Sequence, residues 1–348
     1  MRVFHSSYSG HHAPRTFVAI GQIVECPEQP RRAEILATAA RDAGHRIIEA
    51  TQHGLEPVRR VHDSGYLEFL ETAYAAWMAM PNPGNEVIPN VHPGRNMNAF
   101  PIATVARAGH YQADTSCPIG PGSWQGIQAS ADVAVSAAQA LVDSIGARDA
   151  SAFAYALCRP PGHHAFADQA GGFCFLNNSA IAAQVFRDEG ADRVAILDVD
   201  VHHGNGTQGI FYQRADVLTL SLHGDPTAYY PYFAGYAGET GYEAGEGFNL
   251  NLPLAERTGD DVYMETLDYA IARIVTYRPD VVVVALGLDA SKDDPLAFLS
   301  ITTDGFRRIG RKIGAMAFAI LLVQEGGYIS KSLGNNLTAF LNGFEEAK

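Results

Sequence analysis

Cysteine is scarce. The chain has four in 348 residues, at positions 26, 117, 158 and 174, and no two form a Cys-x-x-Cys pair. That argues against a thiolate zinc site and against the disulfide framework of a small secreted domain. Buried free thiols in a reducing compartment are the expected state. Basic charge is short as well: 25 Lys and Arg face 38 Asp and Glu, a net charge of -13. Such a chain is not built to bind nucleic acid by neutralising phosphates. Its field attracts cations instead, so amines, polyamines and lysine side chains are reasonable substrate classes. No apolar run approaches the length of a membrane span. The opening Met1-Arg2-Val3-Phe4-His5-Ser6 has no apolar signal segment. The cytoplasm is therefore the expected location, with no membrane partner. Internal repeats and low-complexity tracts are missing too.

What is present is a globular composition, 47% hydrophobic, long enough for one large α/β domain or two ordinary ones. No linker separates two halves, so a single domain over 1–348 is favoured. Apolar residues recur at three- and four-residue spacing over 31–43, 66–78, 124–145, 178–189, 260–278 and 302–316, which predicts helices. Asp260 and Thr302 are candidate N-caps. From residue 151 onward strands and helices alternate, as in a βαβ-type parallel sheet. Two stretches break the pattern: 79–123, rich in Pro, Gly and Asn, and the Gly- and Glu-rich 235–248. A loop as long as 79–123 is uncommon inside a compact domain and usually functional or disordered.

Five apolar runs, at 152–157, 194–197, 217–220, 281–286 and 320–323, read as strands buried on both faces. Each is followed by a polar motif. In order these are Arg159-Pro160-Pro161-Gly162-His163-His164, Asp198-Val199-Asp200-Val201-His202-His203, Ser221-Leu222-His223, Gly287-Leu288-Asp289 and Glu325-Gly326-Gly327-Tyr328. Ligands of open α/β sheets bind beyond the carboxyl ends of the strands. The motifs should therefore converge on one crevice.

Asp200 and His202 lie two apart at a predicted strand end, where alternation points both to one face. With Asp289 they offer three ligands and leave a fourth position for water, as catalytic zinc sites do. The same oxygen and nitrogen donors also suit Fe(II), Co(II) or Mn(II). A blander alternative is a strand end followed by a helix cap. His163 and His164 suit a general acid–base pair, and Asp198 could orient one imidazole. His203 points the other way and reads as structural. Tyr328, after two glycines, could donate to a developing oxyanion.

At these residues the chain resembles the arginase–deacetylase superfamily, and within it the bacterial acetylpolyamine amidohydrolases and histone-deacetylase-like amidohydrolases. The stretches RPPGHH, GGFCFLNN, AILDVDVHHGNGTQ, SLHGDP and QEGGY carry the resemblance. It implies a three-layer α/β fold with a central eight-stranded parallel sheet. It implies zinc on Asp200, His202 and Asp289, and His164 as general base and acid. His163 held by Asp198 would be its partner, and Tyr328 would polarise the carbonyl. Asn205 sits where some relatives have an aspartate facing the second histidine. Phe173 and Tyr230 are similar to the walls of the acyl-amine tunnel, with Gly172 beside them and Leu296 at the rim. Asp198, Asp200, His202, Ser221 and Leu222 resemble a site for K+ or Na+, and Arg32 matches an arginine on the acetate exit route. Relatives commonly carry a carboxylate where this chain has Ser116, and some acetylpolyamine enzymes carry a second where it has Val105. The nearest acid is Asp114, so a short monoacetylated diamine is a better expected substrate than a spermine derivative. The 79–123 segment is similar to an insertion that builds a homodimer and narrows the entrance. Its Ile88, Val91, Phe100 and Tyr111 look exposed.

The expected function is thus a zinc-dependent amidohydrolase releasing acetate from small N-acetylated amines, with acetyl-lysine protein deacetylation as the alternative. A two-metal ureohydrolase would need more metal-facing residues. A binding module with lost catalysis would lack the His pair or the Tyr.

Overall fold

The computed structural model describes residues 1–146 and 152–348. Residue 151, where the alternation is expected to begin, lies outside them. The strands are β1 (Arg2–His5), β2 (Thr16–Ala19), β3 (Gln22–Glu25), β4 (Arg46–Glu49), β5 (Phe153–Ala156), β6 (Val194–Asp198), β7 (Val217–Gly224), β8 (Asn249–Leu254), β9 (Val281–Leu286) and β10 (Ala319–Gln324). Eight of them form one sheet in the order β4-β1-β5-β10-β9-β6-β7-β8, and every pairing is parallel. β2 and β3 form a separate antiparallel ribbon. The five apolar runs are β5, β6, β7, β9 and β10, the central strands and their neighbour β7. Their residues are almost wholly buried because helices cover both faces.

The helices are α1 (Arg31–Asp42), α2 (Glu56–Arg59), α3 (Ser64–Met78), α4 (Thr104–Tyr111), α5 (Ser123–Gly146), α6 (Asn178–Asp188), α7 (Asn205–Phe211), α8 (Asp260–Tyr277), α9 (Thr303–Gly314) and α10 (Leu333–Glu346). Alternate sheet residues feed two cores. Ala154, Ala156, Val283 and Val323 join Phe69, Ile127, Ile181 and Phe186 from α3, α5 and α6. Tyr155, Val282, Val284 and Leu322 join Leu36, Leu267, Phe306 and Phe340 from α1, α8, α9 and α10. The result is a three-layer α/β fold.

Three sequence expectations need correction. Thr302 caps α9 by accepting from the Gly305 N–H, but Asp260 does not cap α8. Its carboxylate instead accepts from the Thr302 N–H at 2.9 Å and hydroxyl at 2.6 Å, tying the start of one helix to the next. The 79–123 segment is not wholly irregular, since it contains α4 and its ends meet in an antiparallel Val87–Ile119 bridge. Tyr111 is not exposed: it is buried against Tyr66 and Phe69, whereas Val91 and Phe100 do face solvent and Ile88 is half-buried.

Candidate active site

The register aligns Ala156, Val323, Ala285, Asp198 and Ser221 in one row across β5, β10, β9, β6 and β7. The polar motifs leave the sheet within a few residues of that row, at its carboxyl edge. β6 ends at Asp198, so Asp200 and His202 project from the turn after it rather than from one strand face. The turn is held by carboxylates: Asp198 Oδ1 accepts from the Asp200 N–H at 3.0 Å, and Asp200 Oδ1 from the His202 N–H at 2.9 Å. Asp289 Oδ1 accepts from the Val201 N–H at 3.1 Å.

These bonds aim three buried side chains at one point. His202 Nδ1 lies 3.1 Å from Asp200 Oδ1 and 3.3 Å from Asp289 Oδ2. Asp289 Oδ2 is buried and has no aligned hydrogen-bond donor among the described residues. Gly287 and Gly326 make the room: a Cβ on Gly326 would fall 2.6 Å from Asp200 Oδ2 and closer still to Asp289 Oδ2. The charges also want a cation. Burial and the Asp200 charge push Asp289 above the usual carboxylate range. Burial opposes charge on His202, yet the two carboxylates push it up to about 9. A ligating imidazole must be neutral, so a metal ion would take over the role of that proton. An orphaned buried oxygen, two carboxylates and one imidazole fit a divalent cation.

The histidine pair sits beside this cluster, ring centroids 4.0 Å apart. His163 Nδ1 is 2.8 Å from Asp198 Oδ2. Burial disfavours its charge, but Asp198 and Asp200 outweigh burial and hold it well above its ordinary value. His164 Nδ1 bonds Asn205 Oδ1 at 2.7 Å. Burial, then the positive charge of His163 and His202, pushes His164 well below its ordinary value. The two imidazoles are thus pushed in opposite directions, His163 toward the cation and His164 toward the neutral form. Because Asn205 Oδ1 accepts, His164 carries its hydrogen on Nδ1 and leaves Nε2 as the basic nitrogen. The turn bearing both rings is anchored by Glu325, whose Oε2 accepts from the Gly162 N–H at 2.6 Å and the His163 N–H at 3.0 Å.

Tyr328 and Phe173 lie edge to face, centroids 5.8 Å apart, and Leu296 packs against them. Tyr230 meets His164 edge-on at 5.0 Å. Asp114 is bound into this wall: its Oδ2 accepts from the Tyr230 hydroxyl at 2.7 Å and the Gly172 N–H at 3.1 Å. Gly172 has φ of 51°, the left-handed region. Arg32 is buried below, its guanidinium on Glu28 at 2.7 Å and its Cζ 4.8 Å over the Tyr328 ring. Asp198 and Ser221 line a cavity of about 10 Å³ behind the cluster, with Leu222 next along β7. His203 bonds Gln208 and Asn251, both at 3.1 Å, in a polar network outside the site.

A second cluster, His163, Cys174 and Glu325, also brings potential ligand atoms together. It does not suit a metal. Burial, then the Glu325 charge, keeps the Cys174 thiol protonated, and Glu325 is already spent on Gly162, His163 and Ser179. All four cysteines are free and buried. Two site residues escape sequence reasoning. Asp294 Oδ2 accepts from the Tyr328 N–H at 2.7 Å, and Oδ1 from the Leu296 N–H at 2.9 Å. Its Asp293-Asp294-Pro295 context reads as a surface turn, so no signal marks it. Phe17 touches Phe173 from the β2–β3 ribbon.

Comparison with known proteins gives a consistent result. A family model described as histone deacetylase domain matches residues 26–344. Acetylpolyamine amidohydrolase 1 of Pseudomonas aeruginosa is 45% identical over 331 residues, covering 94% of either chain. Acetylpolyamine amidohydrolase of Burkholderia pseudomallei is 45% identical over 342 residues, 98% of this chain and 97% of that one. A crystal structure of acetylpolyamine aminohydrolase from Burkholderia pseudomallei superimposes with a TM-score of 0.95 at 43% identity, covering 100% of this chain and 99% of the other. The HDA15 HD domain aligns less closely, with a TM-score of 0.79 at 27% identity over 98% of this chain and 87% of that one.

Proposed function

The chain belongs to the histone deacetylase family, and from that premise we propose that it removes acetyl groups from small N-acetylated amines, acetylpolyamines and acetylated diamines, releasing acetate and the free amine. The observation that carries this reading is the His163–His164 pair, ring centroids 4.0 Å apart, with His163 bonded to Asp198 and His164 to Asn205, set against the Asp200-His202-Asp289 cluster. We assign the whole chain, 1–348, to one deacetylase domain. No helix among the described residues is long and apolar enough to cross a membrane, and the cytoplasm is the compartment we assign.

Asp200, His202 and Asp289 would hold one zinc ion; Fe(II), Co(II) or Mn(II) suit the same donors. Held there, the ion would supply Lewis-acid chemistry, polarising the amide oxygen and lowering the pKa of water. The protein's own groups do the rest. His164 Nε2 accepts the proton of the attacking water and returns it to the leaving nitrogen. His163, kept cationic by Asp198, stabilises the negative charge that develops. Burial keeps the Tyr328 phenol protonated, so its O–H can donate to the oxyanion. Phe173, Tyr230, Gly172 and Leu296 flank the acyl-amine path, and Asp114 supplies the negative charge nearest the distal amine. Arg32 lines the way out for acetate. A K+ or Na+ on Asp198, Asp200, His202, Ser221 and Leu222 would stiffen the ends of β6 and β7.

Asn205→Asp tests the assignment of His164. A carboxylate against Nδ1 favours imidazolium, so the folded-state pKa of His164 rises. The basic form is then lost at a higher pH, and the acid limb of the rate profile should move up. An unchanged limb would show that this contact does not tune the base.

The competing reading is acetyl-lysine hydrolysis in proteins. We propose that the 79–123 segment excludes it by pairing with its counterpart in a homodimer, through exposed Val91, Met97, Phe100 and Ile102. Light scattering should report a dimer, and a panel of acylated amines should favour acetylputrescine over acetylated peptides. Trimming the segment should give a monomer with gained peptide activity. An intact monomer that turns over peptides as fast as acetylputrescine would reverse the choice.

A further inference from the structure

The β2–β3 ribbon has no core of its own. Ile20 at its tip is fully exposed and Ile23 on β3 is 77% exposed. A two-stranded ribbon in water is marginal at best, so other parts of the chain must fix its position. Those parts lie at the two ends of the 79–123 segment. Near one end, Glu86 accepts from the Arg15 N–H at 2.8 Å and from the Thr16 N–H at 3.3 Å. Near the other, the Thr115 hydroxyl donates to the Val18 carbonyl at 3.0 Å. The two grips flank one residue, Phe17. Its ring meets Phe173 edge to face with centroids 5.3 Å apart, in the cluster that also holds Tyr328, Cys26 and Leu296. Thr115 in turn follows Asp114, which accepts from the Tyr230 hydroxyl. One dipeptide of the segment therefore reaches both sides of the path, Tyr230 directly and Phe173 through the ribbon.

We infer that Phe17 is a specificity-determining residue that backs Phe173 and so limits the size of the acyl group, and that the 79–123 segment sets its position from within the same chain. The inference rests on the deacylase reading and adds to it. The segment acts on the acyl end of the substrate through the ribbon, independently of any second subunit. Among the described residues the ring that Phe17 meets is that of Phe173. Losing it should release the wall and admit a longer acyl chain. The chemistry at His164 and Tyr328 is untouched.

The test compares kcat/KM for butyryl- and acetylputrescine in the metal-loaded full chain. One methylene in an apolar pocket discriminates by roughly 10–200-fold. Phe17→Ala should therefore raise the butyryl-to-acetyl ratio by about tenfold or more, and Phe17→Leu by less. Thr115→Val removes the hydroxyl at nearly constant shape and should raise the ratio in the same direction. Ile23→Ala, on the exposed face of the ribbon, should leave it unchanged. An unchanged ratio in Phe17→Ala with a native circular dichroism spectrum overturns the inference. Should Phe17→Ala not fold, an unchanged ratio in both Phe17→Leu and Thr115→Val does so. A wild-type enzyme inert on every acylated diamine would count against the deacylase reading itself, which separates the two failures.

Discussion

Asp289→Ala should yield a folded protein that binds no divalent metal and has no measurable turnover. Among the described residues Asp289 Oδ2 is the one ligand oxygen of the cluster without an aligned hydrogen-bond donor, so metal is its natural partner. Its loss removes one of three donors, an anionic one. Losing only an outer partner of a metal ligand costs up to about 100-fold in affinity, and losing a ligand should cost more. The fold should survive, because Asp289 and Asp200 are like charges held together in the interior and burial already pushes Asp289 toward neutrality. Removing one relieves that repulsion; the bond to the Val201 N–H and the ion pair with His202 are lost. Asp200→Ala and His202→Ala should likewise lose metal and activity. Metal analysis of each purified variant, with a thermal melt beside it, decides the matter. Full occupancy with normal turnover would sink that ligand.

Tyr328→Phe should do the opposite: keep metal and fold while losing roughly 10²–10³-fold in turnover, as when one oxyanion donor is removed. Among the described residues, no hydrogen bond from the Tyr328 hydroxyl holds the structure. Asp294 grips the backbone N–H, Arg32 Nε donates to the Gly327 carbonyl at 2.6 Å, and Phe173 and Leu296 pack the ring. Taking away one oxygen leaves all of these in place. KM for acetylputrescine should change little while kcat falls. A near-normal kcat would remove Tyr328 from the reaction.

The sequence made the centre of the molecule legible and its margins less so. β5, β6, β7, β9 and β10 announce themselves because a strand buried on both faces has to be apolar throughout. β1 and β4 do not: each is four residues long, and β4 reads Arg46-Ile47-Ile48-Glu49, with charged residues at either end. β8 alternates Asn with Leu because Asn249 and Asn251 turn inward to Gln208. That pattern reads as a loop unless the buried polar partners are known. α10 is masked by Gly334, Asn335, Asn336 and Gly343, although it buries Leu337, Phe340, Leu341 and Phe344. At the site, the expected ligands and the histidine pair do converge, as do Asp198, Asn205 and Tyr328 around them. Asp294 and Phe17 stayed hidden because their importance lies in which neighbours they touch, and no spacing rule reveals that.

The strand order has a consequence for synthesis. β10, the last strand to be made, lies between β5 and β9 in the middle of the sheet. Until it emerges from the ribosome, the growing chain can build only two partial sheets, β4-β1-β5 and β9-β6-β7-β8, whose inner edges stand open. Unpaired edges flanked by Val and Ala runs are templates for aggregation. The strand that seals that gap also brings Glu325, Gly326 and Tyr328. Glu325 ties down the histidine turn, Gly326 donates to Asp200 at 2.8 Å, and Tyr328 completes the site. The strand that closes the gap between the two partial sheets thus also brings the last residues of the candidate site into place.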